Sequence, residues 1–180
     1  MRVALLISTL ALLGFAVSAQ AQEAQCFQNE QFLVIAQERT DDVGTDFLVR
    51  APAKGKIKCE FVEAEGDFSI GNPDDPLWYA GLAGKYLALT RSTGPDGDVV
   101  IYDLDSRSKV VDVAADDDLA VDEDRVVYWE RVAEGTDKTC PEFAEYQANG
   151  LGAVIAEERI FEVATGAVAK TGESRCSATQ

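Results

Sequence analysis

The chain of 180 residues has no histidine, one methionine, two tryptophans and half as many basic as acidic side chains, 16 against 32. Without histidine there is no Ser-His or Cys-His nucleophile, and the commonest general base and metal ligand are missing. With a net charge of −16, the chain lacks the basic face that phosphate binding requires, which excludes nucleic acid as a partner. Apolar residues make up 47% of the sequence, enough to build a core, so disorder is not expected. After residue 17 no apolar run approaches the roughly 20 residues of a membrane-spanning helix.

The first 21 residues have the layout of a removable export signal: Met1-Arg2, an almost wholly apolar run Val3–Val17, then Ala19-Gln20-Ala21. Cleavage after Ala21 would leave residues 22–180 as one domain with no membrane span. Its net charge is one unit more negative than that of the whole chain, because Arg2 is the only charged residue lost. The expected location is the periplasm or the outside of the cell, where disulfides are the default state of cysteine. Cys26, Cys59, Cys140 and Cys176 contain no CxxC, and three pairings exist. The favoured one is Cys26–Cys59 with Cys140–Cys176, each closing a loop worth roughly 3–4 kcal/mol. The rival joins Cys26 to Cys176 and ties the termini together.

Alternating, β-branched and aromatic segments dominate the remainder. Strands are expected at Phe32–Gln37, Asp46–Val49, Lys56–Val62, Tyr86–Thr90, Val99–Leu104, Lys109–Val113, Arg125–Arg131, Arg159–Val163 and Ala167–Lys170. Turns are expected at Val43-Gly44-Thr45, Pro95-Asp96-Gly97, Asp105-Ser106-Arg107 and Thr165-Gly166. Pro141, Glu142 and Glu145 suit the first turn of a helix that Gly150 can stop, which places one short helix near 141–149. The fold expected is mainly β: an antiparallel β-sandwich or open barrel of about 8–10 strands in meander units.

The openings at Phe32, Tyr86 and Arg125 form a weak internal repeat. Val99-Val100-Ile101-Tyr102-Asp103-Leu104-Asp105 running into Lys109-Val110-Val111 resembles the inner strands of a β-propeller blade, and Phe161–Val168 is similar. The resemblance implies up-and-down antiparallel strands. The chain is too short for a closed propeller of four four-stranded blades.

Candidate sites follow from what chemistry is left. Asp112–Asp124 holds seven acids and no Lys or Arg. Asp116, Asp117, Asp118, Asp122 and Asp124 suit a Ca²⁺ loop, which needs six to eight oxygens, or a patch for a cationic protein, or a solvated turn. EF-hand spacing is absent. Trp78 and Tyr79 follow Asn72-Pro73-Asp74-Asp75-Pro76, so the 72–79 loop is the expected binding edge, with Trp129 as a second exposed aromatic.

The function expected is that of an exported, non-enzymatic binding protein, for instance an inhibitor of a cationic cell-wall hydrolase. Ala83-Gly84-Lys85-Tyr86 resembles the Ser-Gly-x-Tyr loop of one family of periplasmic lysozyme inhibitors, with alanine in place of serine. The alternatives are a calcium-binding structural module and a glycan hydrolase working through two carboxylates.

Overall fold

A computed structural model describes residues 23–92 and 96–180. The segment expected to be an export signal, and Pro95 of one expected turn, lie outside the described residues. Strands β1 (Gln25–Gln28), β2 (Leu33–Glu38), β3 (Thr45–Arg50) and β4 (Phe68–Ile70) form a first antiparallel sheet in sequence order. The second sheet contains β5 (Leu77–Ala83), β6 (Tyr86–Ser92), β7 (Gly97–Asp103), β8 (Ser108–Ala115), β10 (Arg125–Glu134), β11 (Gly152–Glu162) and β12 (Ala167–Thr179), again with sequence neighbours side by side. The two-residue β9 (Ala120–Val121) pairs with β10. One short helix, α1 (Phe143–Ala148), precedes β11. The architecture is that of a β-sandwich: two antiparallel sheets, with no closed barrel among the described residues.

Three apolar layers hold the sheets. Between them, Val34, Ala36, Phe47 and Val49 of the first sheet meet Leu87, Leu89, Val100 and Tyr102 of the second. The opposite faces of β6 and β7, with Tyr86, Ala88, Val99 and Ile101, pack on Val126, Tyr128 and Phe161 of β10 and β11. β6 and β7 are therefore buried on both faces, which is why Tyr86–Leu89 and Val99–Tyr102 read as nearly continuous apolar runs. This second layer exists because the second sheet curls on itself. β8 and β10 share a single paired position, Glu130 with Ala115, and the sheet folds at that narrow joint. β9 then reaches β5, where a Cβ on Gly81 would lie 2.5 Å from the Val121 side chain. Only glycine leaves room for that approach.

The third layer corrects one expected strand. Lys56–Val62 joins neither sheet, and its own backbone bonds are short-range, Glu60 N–H to the Lys58 carbonyl and Val62 N–H to the Glu60 carbonyl. The segment lies across the outer face instead. Ile57 and Phe61 cover Leu33, Ile35 and Leu48, and a disulfide joins Cys59 to Cys26 of β1. Its alternating pattern comes from packing on a sheet, not from pairing within one. Among the described residues there are twelve strands, of which β1, β4, β5 and β9 have no counterpart among the segments expected from the sequence.

The turns follow local chemistry. Asp103 Oδ1 accepts the backbone N–H groups of Asp105 and Ser106, which lets Arg107 take a left-handed φ of 56°. Helix α1 is held at its start by a disulfide between Cys140 and Cys176 of β12, and Gly150, at φ 75°, ends it.

Candidate functional site

β5 begins at Leu77, so Trp78 and Tyr79 stand on a strand and not on a loop tip. The loop proper is Asn72–Pro76. It is tied down by Arg39, which donates to the carbonyls of Asn72 and Pro73 at 3.1 and 2.7 Å. Tyr79 packs against the layer between the sheets, and Trp78 and Tyr79 both line a cleft of about 410 Å³ with Glu23, Gln25, Ala36, Glu38 and Thr45. Trp78 is half-buried, and its indole N–H donates to the Ser92 carbonyl at 3.2 Å. The Tyr79 ring stacks on Phe27 with centroids 3.5 Å apart, and burial raises its phenol pKa. Ala36 and Thr45 are buried and form the floor, while Glu23 and Glu38 are exposed on the rim.

The other aromatic pair divides as strand alternation requires. Tyr128 packs inside the curl of the second sheet, where burial pushes its pKa up to about 12. Trp129 is half-buried on the opposite face, beneath the Arg175 guanidinium, 4.4 Å from the ring centroid.

The acidic segment does not converge on one point. Asp116 accepts from Arg175 at 2.7 Å and from the Ser177 hydroxyl at 2.6 Å, and Asp118 pairs with Arg175 at 2.6 Å. Asp122 reaches Arg125 at 3.5 Å, while Asp117 and Asp124 are exposed. Among the described residues, the one group of three potential ligand side chains within 4.8 Å of each other is Cys140, Glu142 and Cys176, whose sulfurs are already bonded to each other. The aspartates at 116 and 118 thus act as a clamp on the C-terminal strand. Asp96 extends the clamp, accepting from the Thr179 hydroxyl at 2.7 Å and pairing with Arg131 at 3.0 Å.

A second cluster centres on Arg91, which contacts Asp75 at 2.6 Å and Asp98 and Asp112 at 2.7 Å each. Lys109 adds a bond to Asp112 at 2.9 Å. Arg91, with Lys109, holds the Asp112 carboxyl down from 3.8 to about 2. The carboxyls of Asp103 and Glu157 are also lowered. At Asp103, burial pulls upward but Lys85 and the Ser106 N–H outweigh it, and at Glu157 Arg159 is the main cause. None of these displaced carboxyls moves toward the raised range that a general acid needs.

A depressed folded pKa means that stability is complete above the unfolded value and is lost as the folded carboxyl takes up its proton. The urea midpoint should therefore fall as pH drops from 3.8 toward about 2. In Asp112→Asn the same scan should be flatter over that window, and an unchanged slope would remove Asp112 as its source.

Sequence reading missed Arg91, Arg131 and Arg175 as the centres of these clusters, and Glu23, Glu38 and Thr45 as cleft residues. The only available signal was arginine placed inside strand-like runs, and it does not identify the acid it meets. Comparison with protein families, curated proteins and solved structures gives no match to this chain.

Proposed function

We propose that this is an exported, non-enzymatic binding protein whose partner is a cationic protein, a basic cell-wall hydrolase being the concrete case. The observation that carries the reading is where the cations are spent. Arg39, Arg50, Arg91, Arg125, Arg131, Arg159 and Arg175 each pair with a carboxylate of the same chain. With 32 acids against 16 bases, the surplus that faces solvent is negative. Such a surface speeds encounter with a positively charged protein and makes association sensitive to salt. Two disulfides fit an oxidising compartment, and no helix among the described residues is long and apolar enough to cross a membrane.

The test is capture by the immobilised, disulfide-intact protein at about 50 and about 300 mM salt, conditions on either side of a 10 Å screening length. A basic lysozyme is assayed in parallel for inhibition. One cationic protein held at low salt and released at high salt is the expected result. Empty eluates at both salts, with lysozyme activity untouched, would overturn the reading.

A further inference from the structure

Most cations of this chain pair with its own carboxylates, but the segment crossing the outer face of the first sheet departs from that pattern. No acid falls between Asp46 and Glu60, a stretch that holds Arg50, Lys54, Lys56 and Lys58. Glu60, Glu63 and Glu65 then follow with no Lys or Arg among them. Lys54, Lys56, Glu63 and Glu65 are exposed, and none of the four forms an ion pair with another described residue. Where the two signs meet, Lys58 and Glu60 pair at 2.8 Å, with both side chains more than half exposed. One strip of surface is thus positive at one end and negative at the other.

Each end is held in place by the body of the molecule. Ala53, beside the lysines, exchanges two hydrogen bonds with the Gln28 side chain: its N–H donates to Oε1 at 2.7 Å and its carbonyl accepts from Nε2 at 3.3 Å. Beside the glutamates, Asp67 accepts the Ala64 N–H at 2.8 Å and pairs with Arg50 at 2.6 Å. The Cys26–Cys59 disulfide fixes the middle. Gly55 and Gly66, at φ 92° and 91°, turn the chain at the two ends, and a Cβ on either would meet nothing within 4 Å. The charged turns therefore project into open space and need little ordering when a partner arrives.

We propose that this strip is the contact surface of a two-fold homodimer, with the lysine turn of each copy against the glutamate turn of the other. The proposal stands apart from the cationic-partner reading above. A polyanion would meet the glutamates as well as the lysines, and a basic protein would meet the lysines as well as the glutamates. A partner carrying the same charges in reverse order satisfies both ends, and a second copy rotated by half a turn supplies that order. In a two-fold contact each pairing occurs twice, so Lys54 and Lys56 of both copies are matched by Glu63 and Glu65. The contact also covers Val62, which is 63% exposed, the most of any large apolar side chain among the described residues. Three lysines and three glutamates leave the strip neutral in a chain of net charge −16, and charges farther off are screened beyond about 8 Å at physiological salt. The contact is small and polar, so the dimer is weak, with a dissociation constant on the order of 100 µM.

Sedimentation equilibrium of the disulfide-intact protein at about 150 mM salt should show a mass rising toward that of a dimer as the concentration passes about 100 µM. Lys54→Glu with Lys56→Glu, and separately Glu63→Lys with Glu65→Lys, change exposed side chains only, and near-UV circular dichroism checks that the fold is kept. Each variant alone is expected to stay monomeric. An equal mixture of the two should regain the dimer, because the reversed charges again meet their opposites. The second variant is less negative than the wild type, so overall repulsion alone would make it associate more strongly, and the strip predicts the reverse. A carbodiimide, which joins lysine amines to carboxylates, gives a measurement independent of the variants. Applied to mixed ¹⁴N and ¹⁵N wild type, it should link Lys54 or Lys56 of one label to Glu63 or Glu65 of the other. A wild type still monomeric at about 1 mM, variants that dimerise as the wild type does, a mixture that stays monomeric, or links confined to one label would each overturn the assignment. So would a polyanion such as heparin bound through the lysines by a chain that remains monomeric, which would make the strip a site for an anionic partner.

Discussion

Phe161→Ala is expected to lower stability by about 3–5 kcal/mol, the range for an aromatic cut back to alanine in a packed core. Phe161 is 0% exposed and meets Tyr86 edge-on with ring centroids 4.7 Å apart. It stands on β11 and Tyr86 on β6, so the contact crosses the interior of the curled sheet and does not merely reinforce a strand pair. The hole left by alanine lies among Tyr86, Ala88 and Val126, on strands whose other contacts fix them in place, and it cannot readily collapse. Urea unfolding should show a lower midpoint at unchanged slope. Val168→Ala is the control. Val168 sits opposite Phe161 in the β11–β12 ladder but is 47% exposed, and its loss should fall within about 0.5 kcal/mol. A loss below about 1 kcal/mol for Phe161→Ala would mean that the curl is held elsewhere.

Cys26→Ala with Cys59→Ala is expected to cost about 3–4 kcal/mol in the chain-entropy model and to do so by a particular route. Residues 56–62 have few backbone bonds to the rest of the molecule. Those within the segment run from Glu60 to the Lys58 carbonyl and from Val62 to the Glu60 carbonyl. Beyond the disulfide, the segment is held by Ile57 and Phe61 on the outer face of the first sheet and by Arg50 donating to the Val62 carbonyl. Without the bridge it should lift, exposing Leu33, Ile35 and Leu48, and the variant should bind an apolar dye such as ANS while its strands persist. The matched variant, Cys140→Ser with Cys176→Ser, removes a loop of nearly the same length, 36 residues against 33. There β12 remains paired with β11 and clamped through Arg175 and Thr179, so no dye binding is expected. Equal dye binding by both variants would contradict this account of the outer face.

The legible part of this fold was the part with strong local pattern. β2, β3, β6, β7, β8, β10, β11 and β12 all contain runs that alternate or are rich in branched side chains, and the turn at Asp105–Arg107 announced itself by composition. The favoured disulfide pairing is the one formed. What was illegible depends on partners far along the chain. β1 and β4 are three or four residues long, and only an existing sheet makes strands of them. β5 looked like part of a proline-held loop because Gly81 and an irregular register between Tyr79 and Gly81 interrupt its alternation. Lys56–Val62 looked like a strand because packing across a sheet and pairing within one demand the same period of two. The aspartates at 116 and 118 read as a calcium loop, a partner patch or a solvated turn, because the arginine that engages them lies 59 and 57 residues away. The cleft was half visible: the aromatics at 78 and 79 drew attention, but nothing in the sequence says that Glu23 and Glu38 stand beside them.

Both sheets are laid down in sequence order, and each cysteine bonds to the next one along: first to second, third to fourth. A chain delivered amino-terminus first into an oxidising space presents Cys26 and Cys59 to each other before either later thiol has arrived. On such a route, a catalyst that joins thiols in order of arrival would make the observed pairs. The alternative that ties Cys26 to Cys176 would have to keep the first thiol unreacted until the last few residues emerged. Meander topology and consecutive bridging together suit this protein to one-pass assembly, each hairpin closing on the one before it.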